Sequence, residues 1–286
     1  VPKDESRAVQ WFMKAAEQGH AQTMCNLGVM YKSGSGVPKD EVRAVEWYKK
    51  AADQGHAGAQ CNLGFMYKNG CGVQENEALA VEWYRKAAEQ GHAGAQFNMG
   101  YMYENGHGVP KDETRALEWY KAASEQGNPG AQCNLGYMYE NGHGVRKDLP
   151  RAVALYNKAA KQGNIGAQYN LGYMYENGTG VPKDEARAVE WYREAAEQGH
   201  AGAQFNLGFM YENGYGVLRD IARVVEWYRR AAEQGHTAAQ CSLGYMYENG
   251  HGLPRDEVRA VEWYTKSAKQ GYADAQCNLG YMYENG

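Results

Sequence analysis

Residues 37–72 read VPKDEVRAVEWYKKAADQGHAGAQCNLGFMYKNGCG, and this stretch decides the fold. Asp40 is a good helix N-cap, with Pro38 just before it. From Glu41 onward, Ala44, Val45, Trp47, Tyr48, Ala51 and Ala52 fall on one broad stripe at helical spacing. Gly55 offers a left-handed residue to end that helix. A second helix starts near His56, carries Ala59, Leu63, Met66 and Tyr67 on one face, and is closed by Gly70. Asn128-Pro129 shows the second start most clearly, as an N-cap followed by proline at the first helical position. The pattern predicts one helix of the 40–54 type (helix B) and one of the 57–69 type (helix A), with Gly72 and Val73 turning into the next copy.

The same 36-residue pattern starts at Val1, Val37, Val73, Val109, Val145, Val181, Val217 and Leu253, without insertion. Self-similarity at such a period marks a solenoid, in which each repeat buries its apolar side only against its neighbours. The expected fold is therefore all-α: an α/α superhelical solenoid of eight helix-turn-helix repeats, one array over residues 1–286. Gly64 and its equivalents from Gly28 to Gly280 lie inside helix A. An interior glycine costs about 1 kcal/mol against alanine, so a close approach of helices must offset it.

Composition narrows the function. The 286 residues carry 30 Lys and Arg against 34 Asp and Glu, a formal charge of −4. That balance argues against a dedicated nucleic-acid or anionic-membrane binder, because phosphate neutralisation needs a basic excess. No apolar run approaches the ~20 residues of a membrane span, so no membrane insertion is expected. Aromatics at 12% and 36 glycines are too much packing material for a disordered chain.

The runs Asp40-x-x-x-Ala44-x-x-Trp47-Tyr48-x-x-Ala51-Ala52-x-x-Gly55 and Ala59…Leu63-Gly64-x-x-Tyr67-x-x-Gly70-x-Gly72-Val73 resemble the Sel1-like repeat, a relative of the tetratricopeptide repeat. The likeness recurs eight times and covers the whole chain. It implies a right-handed superhelix that acts as an adaptor for protein complexes, with no catalytic activity and no cofactor by default. The chain starts on a helix B at Val1, not on a Met, and stops after a helix A whose Leu279, Met282 and Tyr283 belong to an ordinary interior face. A piece of a longer protein is expected, with uncapped ends able to associate end to end. A designed or homogenised array would show the same near-identity of repeats.

Cys25, Cys61, Cys133, Cys241 and Cys277 share one repeat position, filled elsewhere by Phe97, Tyr169 and Phe205. Equivalent points lie about 10 Å apart, one helix layer, whereas a disulfide needs Cα atoms within ~7 Å. Free thiols packed as small apolar groups are expected, with Cys71 alone in a loop. They fit a reducing, cytoplasmic compartment; an exported location stays open. A cysteine-rich branch of the family pairs a cysteine in each repeat, and some of its members are associated with peptidoglycan or β-lactam binding. That pairing is missing here.

Other candidate chemistry is weak. His107, His143 and His251 share a loop position, and His20, His56, His92, His200 and His236 share a helix A start. Adjacent equivalents are a layer apart, too far to share a metal, so capping and solvation explain them. Loops such as Asn105-Gly106-His107-Gly108 follow a helix C-terminus, whose dipole repels anions, so they read as caps rather than phosphate cradles. Glu46 with Lys50, Glu82 with Lys86 and Glu226 with Arg230 are expected to pair at i,i+4 on the back of helix B. No nucleophile–base or metalloprotease pattern breaks the repeat symmetry.

The informative surface is on helix A. With Ala59, Leu63 and Met66 against helix B, 100° per residue turns Asn62 and Phe65 away from that contact. In this repeat family helix A is expected to line the concave side. Down the chain the positions become Asn98 and Tyr101, Asn134 and Tyr137, Asn170 and Tyr173, Asn206 and Phe209, then Tyr245, with Tyr169 flanking. One reading is a groove with an amide ladder and an aromatic ladder for a protein or peptide segment. The other is that Asn and Tyr stitch neighbouring A helices together; both can hold. An RNA-binding helical repeat is the alternative that aromatics and amides allow and the charge opposes. An accessory or hydrolase-like member of the family is a further one. Two repeats are irregular: Leu149-Pro150 with Ala154-Leu155, and Leu218, Ile221 with Val224. Sequence drift or a local partner patch accounts for them.

Overall fold

The Asp40 side chain accepts a hydrogen bond from the backbone N–H of Arg43 at 3.0 Å and starts a helix at Glu41. The His56 imidazole does the same one helix later, its Nδ1 accepting from the N–H of Ala59 at 3.0 Å. Gly55 adopts φ +86° and Gly70 φ +64°, the left-handed values that only glycine takes cheaply, and each ends a helix. These four signals recur, so the computed structural model, which describes residues 4–285, contains sixteen α-helices and no strand among those residues. Two helices per repeat follow the predicted bounds to within a residue, except that the helix starting at Leu149 ends at Ala160, two residues early.

The chain divides into two compact units, up to Asp148 and from Leu149. In the first, the B helices α1 (Glu5–Glu17), α3 (Glu41–Asp53), α5 (Glu77–Glu89) and α7 (Glu113–Glu125) alternate with the A helices α2 (Ala21–Ser33), α4 (Ala57–Asn69), α6 (Ala93–Asn105) and α8 (Pro129–Asn141). In the second, α9 (Leu149–Ala160), α11 (Glu185–Glu197), α13 (Ile221–Glu233) and α15 (Glu257–Lys269) alternate with α10 (Ile165–Asn177), α12 (Ala201–Asn213), α14 (Thr237–Asn249) and α16 (Ala273–Asn285). Within each unit every helix packs on the helix before and after it in sequence, the arrangement of an α-solenoid of repeats. No described helix is long and apolar enough to cross a membrane.

From the second repeat onward, one residue per repeat anchors the core. Tyr48, Tyr84, Tyr120, Tyr156, Tyr192, Tyr228 and Tyr264 are all fully buried. Within each unit the room for the ring comes from the glycine inside the preceding A helix. A Cβ placed on Gly64 would stand 2.7 Å from Cδ1 of Tyr84, and one on Gly172 2.5 Å from Cδ1 of Tyr192. The close approach expected of the interior glycines is thus to the ring of the next B helix. Gly280 departs from the expectation, since a Cβ there would meet nothing within 4 Å.

Buried amides tie repeat to repeat. Gln60 is 4% exposed; its Nε2 donates to the carbonyl of Ala52 at 3.1 Å, and its Oε1 accepts from Gln90 Nε2 at 2.7 Å. Gln96 with Gln126 repeats the rung in the first unit at 2.7 Å. Gln168 with Gln198 and Gln204 with Gln234, both at 2.7 Å, continue it in the second. No buried side-chain nitrogen or oxygen among the described residues lacks a partner.

Candidate partner-binding surface

The aromatic positions of helix A face water. Phe65, Tyr137, Tyr173, Phe209 and Tyr245 are 39–51% exposed, whereas the tyrosine of each B helix is sealed. Tyr101 is half-buried, with Lys68 Nζ 3.9 Å over its ring and His107 stacked at 5.8 Å. Tyr137 carries His143 at 5.7 Å in the same way. In the second unit Phe209 has Tyr215 as a tilted neighbour at 6.0 Å. Tyr169 is placed differently. It stacks on His200 at 4.4 Å and lies 5.8 Å from Tyr192, so much of its ring serves packing between repeats.

The asparagines are half-buried and their amides are used within the chain. Asn62 Nδ2 donates to Cys25 Sγ and Asn98 Nδ2 to Cys61 Sγ, each at 3.8 Å. Asn134 Nδ2 donates to the Tyr120 hydroxyl at 2.9 Å. Asn206 lies beside the hydroxyls of Tyr169 and Tyr192. Asn170 is half-buried at the equivalent place. The stitching role therefore belongs to the amide row, and the open face to the aromatic row. A helical wheel drawn within one repeat shows which side Asn62 leaves by, but not that the preceding repeat waits there with a thiol.

All six cysteines are unpaired. Burial pushes the Cys61, Cys133 and Cys241 thiols up to about 11, with Asn98 and Asn278 opposing the rise at Cys61 and Cys241. They are inert fillers rather than nucleophiles. No group of three or more His, Cys, Asp or Glu among the described residues is placed to hold a metal ion. The histidines at the helix A starts cap through Nδ1, and burial holds His92, His200 and His236 below their ordinary value.

Two of the three expected i,i+4 ion pairs are replaced by another contact. Glu226 and Arg230 meet at 2.6 Å. Lys50 Nζ instead lies 4.3 Å over Trp47, and Lys86 Nζ 4.2 Å over Trp83. A half-buried indole face one turn back offers the ammonium more than a solvated carboxylate does. Of the irregular residues, Val224 is core, whereas Leu218 is 89% exposed and Ile221 40%. Ile221 and Val224 border a cavity of about 310 Å³ with Tyr211, Glu212 and His251.

One position with a role escaped the sequence reading. Two residues before the glycine that closes it, the last turn of helix A holds Lys32 and Lys68 in the first two A helices, then Glu104, Glu140, Glu176, Glu212, Glu248 and Glu284. The buried tyrosine hydroxyl binds that carboxylate: Tyr120 donates to Glu104, Tyr192 to Glu176, Tyr228 to Glu212 and Tyr264 to Glu248, each at 2.6 Å. Burial, reinforced by the glutamate charge, drives those phenols well above their ordinary range. The switch from Lys to Glu at a fixed repeat position was the available signal.

These regularities fit one family. The Sel1 repeat model matches residues 1–20, 21–56, 57–92, 93–128, 129–164, 165–200, 201–236, 237–272 and 273–286, each full match opening on a helix A. The chain belongs to the Sel1-repeat family, whose solenoids generally serve as protein-interaction scaffolds. The crystal structure of a protective antigen from uropathogenic Escherichia coli, which displays an SLR fold, is similar at 40% identity and a TM-score of 0.86 over 97% of this chain. This chain spans 60% of that protein. A Sel1 repeat protein from Oxalobacter formigenes is similar at 35% identity and a TM-score of 0.77, over 96% of this chain and 80% of its own length. No curated relative matches the chain.

Proposed function

We propose that this Sel1-repeat protein is a non-enzymatic scaffold that binds a protein or peptide segment on the A-helix faces of its repeats. The observation that carries the reading is the contrast between two tyrosine rows: the B-helix row is sealed, while Phe65, Tyr137, Tyr173, Phe209 and Tyr245 stay 39–51% exposed. Exposed rings repeated at one position are hot-spot material for a partner, with large apolar area and, for tyrosine, a polar tip. The amide row, tied to thiols and hydroxyls, contributes rigidity beneath them rather than readout. Nucleic acid is disfavoured because its phosphates would meet Glu104, Glu176, Glu212 and Glu248 on the same helices. A second copy docking end to end would meet Val258, Val261, Met282 and Tyr283, which border a cavity of about 400 Å³ on α15 and α16.

The test is calorimetry with captured partners, comparing the wild-type chain with Tyr137→Ala plus Tyr245→Ala. Both side chains are exposed, so the melting temperature should hold while affinity falls about tenfold or more. Full retention of affinity overturns the assignment of this face.

A further inference from the structure

The molecule already seats cations on its A-helix aromatics at two places. Lys32 Nζ lies 3.9 Å over the Phe65 ring, and Lys68 Nζ lies 3.9 Å over Tyr101. In both, the lysine comes from the last turn of one A helix and the ring from the next A helix, 33 residues on. The same step pairs Glu104 with Tyr137 in the first unit, and Glu176 with Phe209 and Glu212 with Tyr245 in the second. The aromatic position is kept, and the chain's own cation is exchanged for a carboxylate.

That exchange leaves a defined pocket in the second unit. Glu212 and Tyr245 line a cavity of about 270 Å³ together with Phe205, Tyr272 and Asp274. Its walls hold two carboxylates and three aromatic rings, and no lysine or arginine. Glu212 is held in place from beneath, where the Tyr228 hydroxyl donates to its Oε2 at 2.6 Å. A ring face and a fixed carboxylate converging on one space are complementary to an ammonium or guanidinium group.

We infer that the second unit's A-helix face recognises a basic protein segment, whose lysine or arginine side chains enter between the carboxylate of one repeat and the ring of the next, with the Glu212–Tyr245–Asp274 pocket as the anchor. The inference rests on the scaffold reading above and narrows its partner to a cationic one. Neighbouring helices pack about 10 Å apart and an extended strand rises about 3.3 Å per residue, so basic residues at every third position would keep step with the repeats.

A labelled Arg-Ala-Ala-Arg-Ala-Ala-Arg peptide tests this by fluorescence anisotropy on the full chain at low salt, against matched peptides with norleucine or glutamate in place of arginine. The basic peptide should bind about tenfold tighter than the norleucine one and lose affinity as salt rises. Glu212→Gln, which keeps an acceptor for Tyr228, should weaken it about fivefold. Glu212→Lys should abolish the anchor by restoring the Lys32–Phe65 arrangement over Tyr245. Glu262→Gln, exposed on α15, should change nothing. Equal binding of the basic and norleucine peptides, or indifference to both Glu212 variants, overturns the inference. If the norleucine peptide binds equally well and Tyr245→Ala abolishes that binding, the cation preference falls and the scaffold face survives. If Tyr245→Ala affects neither peptides nor captured partners, both fall.

Discussion

The ring of Tyr84 occupies the space that a side chain on Gly64 would need. Its Cδ1 and Cε1 would lie 2.7 and 2.8 Å from a Cβ there, below any tolerable contact, and Tyr84 is itself fully buried. Alanine gains about 1 kcal/mol of helix propensity over glycine, but overpacking a rigid contact costs about 1–3 kcal/mol. Gly64→Ala should therefore lower the melting temperature. At Gly280, where a Cβ meets nothing within 4 Å, the same substitution should leave it unchanged or raise it. Calorimetric melting of the two variants side by side checks the packing account, and an equal response refutes it.

The Gln60–Gln90 rung joins helices 30 residues apart. Gln60→Ala should cost about 1–3 kcal/mol because it empties a buried site and leaves the carbonyl of Ala52 without the donor that Gln60 supplies. Gln90→Ala should cost less, since Gln90 is exposed and its other bond, to the carbonyl of Lys86 at 3.2 Å, lies in solvent. In a double-mutant cycle by urea unfolding, the pair should show a coupling of about 1 kcal/mol. Strict additivity would mean that the rung contributes nothing of its own.

Acid should loosen the helix A starts. His200 Nδ1 accepts from the N–H of Ala203 at 3.0 Å, a bond that the doubly protonated ring cannot make. Burial holds His200 and His236 below the ordinary value of 6.5, with His200 adding repulsion at His236. A lowered folded value means the unfolded chain takes up the proton first. Stability is thus fully present above pH ~6.5 and declines as pH falls below it. Asn164 already caps α10 by accepting from Ala167 at 2.9 Å without titrating. His200→Asn plus His236→Asn should therefore flatten the decline in melting temperature between pH 7 and 5.5; an unchanged slope would place the acid sensitivity elsewhere.

What was legible in advance follows the range of the interactions concerned. Asp40, His56, Gly55 and Gly70 act on backbone groups within five residues, so the helix ends could be read from one repeat. The interior glycine announced a close approach, although its partner, Tyr84, lies one repeat further on. Contacts made wholly between repeats were less visible. Asn62 reaches Cys25 across 37 residues, and Gln90 reaches Gln60 across 30. Neither pairing follows from periodicity, because every repeat offers the same residues and only the stacking selects which copies meet. Lys50 departs from the expected ion pair for a different reason: Glu46 and Trp47 both lie within its reach, and charge alone does not reveal that the indole face takes the ammonium.

Every glutamine rung within a unit bridges a single joint, with its donor and acceptor drawn from successive copies of one pattern. A block of 36 residues excised or duplicated between equivalent points would bring together the same pair of faces, so the seam would heal without any new chemistry. Length is in that sense a free variable of this architecture, adjustable by recombination in whole steps, each adding or removing one identical joint.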